Sequence, residues 1–143
     1  MNRTSAKKLT KTKKEMIINK ITQLLEVHQE ISFAYVHGSF LQEGDFNDID
    51  VAVFLKEAIE SPLQYELQTE AELMKSLGMF VADVRVLNFS PLSFRYHVIK
   101  EGRLLMVRDD DVRADFQENT IKHYLDFAPF RKMYLKEVLG LGV

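Results

Sequence analysis

Apolar positions along the chain fall into two periods, and the alternation between them predicts the elements. Met16, Ile17, Ile21, Leu24 and Leu25 recur at helical spacing, which predicts a first helix over about Lys13 to His28. ISFAYVH then alternates and runs apolar from Ile31 to Val36, stopping at Gly38, which reads as a strand. Ile49, Val51, Ala52, Val53, Phe54 and Leu55 form a continuous apolar run, the signature of a strand buried on both faces. Ser61-Pro62 opens a second helix with proline in its first turn, and Gly78 closes it. Its expected core stripe is Leu63, Leu67, Ala71, Met74 and Leu77. A third strand, FVADVRVL, covers Phe80 to Leu87. After a turn at Asn88 to Pro91, with Ser90 as the expected cap, LSFRYHVIKEG reads as a short helix ending at Gly102. RLLMVR, Arg103 to Arg108, reads as a short edge strand. A last helix carries Val112, Phe116, Ile121, Tyr124 and Leu125 to about Phe127, and Pro129 should kink or restart it before Phe130 to Leu139.

The chemistry concentrates between the first two strands, in VHGSFLQEGDFNDIDVAVFL, residues 36–55. Asp48 and Asp50 sit at the head of a strand and, with side chains alternating, point the same way about 6.7 Å apart at Cα. Like charges at that spacing raise each other's ionisation cost, and a divalent cation with oxygen ligands relieves it. Gly38 has no Cβ to keep a phosphate from the backbone. Ser39 with Gln42 matches a capping box, predicting a short helix whose free N–H groups suit an anion. A metal pair and an anion cradle within one strand-turn-strand unit are the equipment for handling a nucleoside triphosphate. Asp83 lies mid-strand among apolar neighbours and needs a partner. Either it pairs with Arg85 at the surface, or it is a third carboxylate that takes a proton and binds metal. With Asp48 and Asp50 present, the second reading is preferred. His37 and His28 are left outside the site, and Asp109-Asp110-Asp111 reads as an acidic helix start rather than a metal cluster.

Charge and composition narrow the field. The chain has 143 residues, suited to a single domain, and no cysteine, which excludes disulfides and thiolate chemistry. Residues 1–14 carry Arg3, Lys7, Lys8, Lys11, Lys13 and Lys14 and no acid. That is a charge of +6 against a total of −2, so the body is acidic. The basic segment reads as a solvated, frayed lead into the first helix, and the acidic body argues against nucleic-acid binding. No apolar run approaches the ~18 residues of a membrane span. No apolar segment follows the basic start, as a signal peptide would require. A cytoplasmic location is expected.

The pattern G-S, spacer, D-x-D and a later Asp resembles the DNA-polymerase-β-like nucleotidyltransferases in their minimal (MNT) form. The matching residues are Gly38, Ser39, Asp48, Asp50 and Asp83. The spacer of eight residues is shorter than usual in that family, and the Arg often found just after the Ser is replaced by the neighbourhood of Gln42 and Glu43. LNFSPLSFRYHVIKEGRLLMVRD and IKHYLDFAP resemble the C-terminal part of the MntA-like antitoxins, which adenylylate a HEPN-domain partner on tyrosine. The resemblance spans about residues 30–139.

It implies an α+β (mixed α/β) nucleotidyltransferase fold: a short mixed sheet flanked by helices, with a helical segment at residues 109–139. It further implies ATP as substrate, with Asp48, Asp50 and Asp83 holding two Mg²⁺ ions (Mn²⁺ being the alternative). Gly38 and Ser39 would bind the terminal phosphates, and a HEPN toxin would be partner and acceptor. Two other classes compete with a protein adenylyltransferase: a small-molecule nucleotidyltransferase acting with a helical partner chain, and a non-catalytic antitoxin that keeps the fold.

Overall fold

The computed structural model describes residues 9–138 and residue 140, so most of the basic segment, residues 1–8, and Leu139 lie outside the described residues. The elements follow in the order α1 (Lys11–Glu26), β1 (Ile31–His37), β2 (Asp48–Leu55), α2 (Pro62–Leu77), β3 (Val81–Val86), α3 (Leu92–Glu101), β4 (Arg103–Val107) and α4 (Asp110–Val138). A 3₁₀ turn, Gly38–Leu41, links β1 to the loop before β2. The strands form one mixed sheet in the order β3-β2-β1-β4. β1 runs antiparallel to both neighbours, and β2 and β3 are parallel, joined by the crossover helix α2.

Helices cover both faces of the sheet. Ile21 and Leu25 of α1 and Leu73 and Leu77 of α2 pack with Val36, Ile49, Val51, Val53 and Val84 on one face. On the other, Val98 of α3 and Phe116 of α4 pack with Phe33, Tyr35 and Ala52. This is why β2 reads as an unbroken apolar run: its odd residues Ile49, Val51 and Val53 serve one core, and Ala52 and Phe54 the other. None of the described helices is long and apolar enough to cross a membrane.

Local chemistry explains most boundaries. Thr10 Oγ1 accepts from Lys13 N at 3.2 Å at the start of α1, and Ser61 Oγ accepts from Gln64 N at 3.2 Å at the start of α2. Asp109 Oδ1 accepts from the backbone of Asp111 and Val112, so the acidic run does open α4. Gly102 is required by close approach, since a Cβ there would meet the carbonyls of Val98 and Val36 as β4 docks against β1.

Several expectations need correction. Of the expected α2 stripe, Leu77 is buried and Met74 packs partly buried against the core, but Leu63, Leu67 and Ala71 are exposed, and Thr69 and Leu73 are buried in their place. Ser90 does not cap α3: its hydroxyl donates to Leu87 O at 3.0 Å, and α3 starts from Pro91 without a side-chain cap. α1 ends at Glu26, so His28 lies past its last turn, where its ring bridges Glu30 and Glu72. α4 runs through Pro129 as one helix, so the expected restart at Phe130 does not occur; after Thr120 no described side chain of this helix is buried, so core packing imposes no direction there.

Candidate active site

The site is set by register across three strands. β1 ends at His37, which pairs with Asp50 of β2, and Asp50 in turn pairs with Asp83 of β3. His37, Asp50 and Asp83 therefore lie in one row. The next row on the same face is Tyr35, Ala52 and Arg85. Ile49, Val51, Ala82 and Val84 are buried toward α1 and α2, so alternation turns Asp48, Asp50, Asp83 and Arg85 to the opposite face. Asp48 is exposed at the end of β2, opposite Val81.

The turn before the row is held from both ends. Gly38 has φ +81°, a left-handed conformation natural only to glycine, and a Cβ there would overlap Asp50 Oδ2. The close approach that glycine permits is thus to the Asp50 carboxylate itself. Phe40 and Phe46, both buried, meet edge to face at 4.8 Å and tie the two ends of the loop together. Lys14 Nζ lies over both rings and donates to Gln42 O at 2.8 Å. This aromatic tie accounts for a short spacer. The capping-box expectation for Ser39 fails: Ser39 lies inside the 3₁₀ turn, His37 occupies the cap position with no side-chain cap bond, and the Ser39 carbonyl accepts from Gln42 N. Ser39 is exposed and free to face a ligand.

Electrostatics mark Asp50 as the centre of the site. Burial, then the charges of Asp83 and Asp48, push its carboxyl up to about 6, against a smaller opposing pull from Arg85. Burial likewise holds the His37 imidazole below its ordinary value, outweighing the Asp83 charge, and Arg85 adds to the depression. His37 is therefore neutral at pH 7. Its Nε2 is buried without a hydrogen-bond partner, and its ring stands edge-on to Phe94 at 5.6 Å.

Arg85 Nε donates to Asp83 Oδ1 at 3.3 Å, so the surface pair weighed from the sequence is present. It coexists with the register that puts Asp83 beside Asp50. As the side chains stand, no group of three or more His, Asp or Glu among the described residues is gathered closely enough to hold a metal ion. The donor set still fits one. Burial first, and then the neighbouring Asp83 and Asp48 charges, raise the proton affinity of Asp50, and a divalent cation with oxygen ligands would offset that penalty.

Sequence reasoning found the carboxylates through their spacing, and Arg85 through its two-residue offset from Asp83. It set His37 aside, because only strand register reveals that His37 shares the Asp50 row.

A mixed sheet with a glycine turn at the end of one strand and carboxylates in register on the next two has the fold of a nucleotidyltransferase. The chain belongs to the polymerase beta nucleotidyltransferase family, whose model matches residues 19–111. Among solved structures it is similar to the MNT antitoxin bound to a tri-AMPylated HEPN toxin of Shewanella oneidensis. That match has a TM-score of 0.71 at 20% identity, covering 88% of this chain and 98% of that one. It is also similar to the toxin–antitoxin MntA–HepT, with a TM-score of 0.70 at 20% identity over 87% and 98% of the two chains. A toxin–antitoxin with AMP-PNP gives 0.71 at 22% identity over 85% and 98%. A search of curated proteins gave no match.

Proposed function

We propose that this chain is the antitoxin of a HEPN/MNT pair and transfers AMP from ATP to a tyrosine hydroxyl of its HEPN-domain partner. The observation that supports the reading is the Asp50–Asp83 register, with the Gly38 turn packed against the Asp50 carboxylate. Support for partner and nucleotide comes from relatives of the same fold: one is bound to a tri-AMPylated HEPN toxin, another was solved with AMP-PNP. Residues 1–143 act as a single nucleotidyltransferase domain, working in the cytoplasm.

Asp48, Asp50 and Asp83 would hold Mg²⁺ or Mn²⁺, which when bound neutralises charge developing on the transferring phosphate. The Gly38–Ser39 backbone takes the terminal phosphates. The acceptor oxygen attacks the α-phosphorus, its proton passes to the Asp83 carboxylate, and the bond to the β-phosphate breaks as pyrophosphate leaves. A tyrosine hydroxyl with a pKa of about 10 is protonated at neutral pH, so the step needs a base, and Asp83 is the carboxylate of the row that lies on the edge strand β3.

The test is intact-mass analysis of the HEPN-domain protein encoded beside this chain, co-expressed with it, with and without ATP and Mg²⁺. Mass gains of whole AMP units on a tyrosine are expected. An unmodified partner that still binds tightly would replace this reading with that of a non-catalytic antitoxin, consistent with the Asp83–Arg85 pair holding the site open.

A further inference from the structure

A cleft of about 320 Å³ opens at the β3 edge of the sheet, beside the acidic row. Arg85, Phe89, Phe94, Pro91, Pro62 and Glu66 line it. Arg85 bridges cleft and carboxylates, because its Nε is bonded to Asp83. Phe94 borders the site as well, through its contact with His37. We propose that this cleft receives the acceptor: the aromatic ring of a partner tyrosine lies against Phe89 and Phe94 with its hydroxyl directed along β3 toward Asp83. This deepens the function proposed above and rests on it.

Three observations lead there. The first is direction. In-line displacement requires nucleophile and leaving group on opposite sides of the phosphorus. Gly38 and Ser39, which take the leaving pyrophosphate, lie on the β1 side of Asp50, so attack must come from the β3 side, where Asp83, Arg85 and the cleft lie. The second is chemistry. The polar groups of the cleft are already engaged: Glu66 Oε2 accepts from Val86 N at 2.8 Å, and Ser90 Oγ donates to Leu87 O. The remaining wall is phenyl and proline, with one guanidinium, which suits an aromatic ring and offers little to read the edge of a nucleobase. The third is backbone. Val84 N and Val86 N, the outward donors of β3, are taken by Glu70 and Glu66, so a partner cannot enter by adding a strand and must enter by a side chain.

Phe89 is 74% exposed, so truncation there spares the core. The test compares wild type, Phe89→Ala and Phe89→Tyr for AMP transfer to the co-expressed HEPN-domain partner, and for AMP-PNP affinity by calorimetry. Phe89→Ala is expected to raise the acceptor KM about tenfold while AMP-PNP Kd stays within about twofold, and Phe89→Tyr to restore the KM. A parallel loss of AMP-PNP affinity would assign the cleft to the nucleobase and overturn the proposal, as would an unchanged acceptor KM. A wild type that transfers nothing while binding AMP-PNP removes the functional reading, and the acceptor role with it.

Discussion

At the scale of single residues, Asp50 is the most informative position. Its carboxyl is raised to about 6, mainly by burial. A carboxyl whose folded pKa exceeds its unfolded value costs stability once it ionises. That cost is absent below the unfolded value near 4, grows as pH rises, and is complete above about 6. In metal-free buffer, Asp50→Asn is therefore expected to melt higher than wild type at pH 7, and the advantage should vanish by pH 4. Melting curves across that window check it; an advantage independent of pH would mean that Asp50 is not strained by its charge. Asp83 is different, being partly exposed and tied to Arg85. Asp83→Asn should change stability by no more than about 1 kcal/mol, because a surface ion pair contributes little. Transfer should fall by about a hundredfold if Asp83 is the base. Transfer rate and melting temperature measured on one preparation decide the matter, and normal transfer in that variant would end the three-carboxylate mechanism.

At the scale of elements, β3 is an edge strand that does not behave as one. Glu66 and Glu70, one turn apart on α2, accept from Val86 N and Val84 N at 2.8 and 2.9 Å and occupy the outward donors of the strand. An unpaired edge is a template for association. The Glu66→Ala/Glu70→Ala variant should therefore self-associate at concentrations where wild type stays dispersed, with light scattering as the readout. Identical scattering would show that the glutamates are dispensable as a shield. Element identity was largely legible: strands in Ile31–Val36, Ile49–Leu55 and Phe80–Leu87 and helices opened at Ser61-Pro62 and Asp109 follow from period and caps. What was not legible depends on docking. Leu63 and Leu67 have the spacing of a core stripe, but the edge-capping glutamates fix the rotation of α2 and leave both leucines in solvent. Ser39 and Ser90 look like caps in sequence, yet each sits where tertiary contacts choose another geometry.

At the scale of the whole molecule, a mainly aliphatic core on one face of the sheet and an aromatic-rich core on the other leave the acidic row at one end of β2, between the Gly38 turn and the β3 edge. The row was half legible: alternation put Asp48 and Asp50 on one face, but only the strand order brings Asp83 next to Asp50 and His37 on its other side. If the row binds a metal–nucleotide complex, stability is linked to that ligand. At a hundredfold excess over Kd, Mg²⁺ with AMP-PNP should add about 2.7 kcal/mol, a shift of several degrees by differential scanning fluorimetry. The Asp48→Asn/Asp50→Asn variant should show no shift; an equal shift would place the ligand elsewhere.

The position of β1 has a consequence for the order in which the protein is made. β1 lies inside the sheet, yet its two partners come from very different points in the chain: β2 follows after a short loop, whereas the pairing of Phe33 with Val107 must await β4. During synthesis from the N-terminus, the β1–β2 hairpin, α2 and β3 can assemble while one flank of the apolar strand ISFAYVH is still bare. The finished sheet has the edges β3 and β4, whereas the nascent sheet has β3 and β1, and β1 is a strand that the finished fold buries almost completely. Ribosome-bound chains exposing residues up to Glu101 should therefore recruit holdase chaperones and be cut readily by protease, and those exposing residues through α4 should do neither. Equal chaperone binding at both lengths would show that β4 closes nothing that the ribosome had left open.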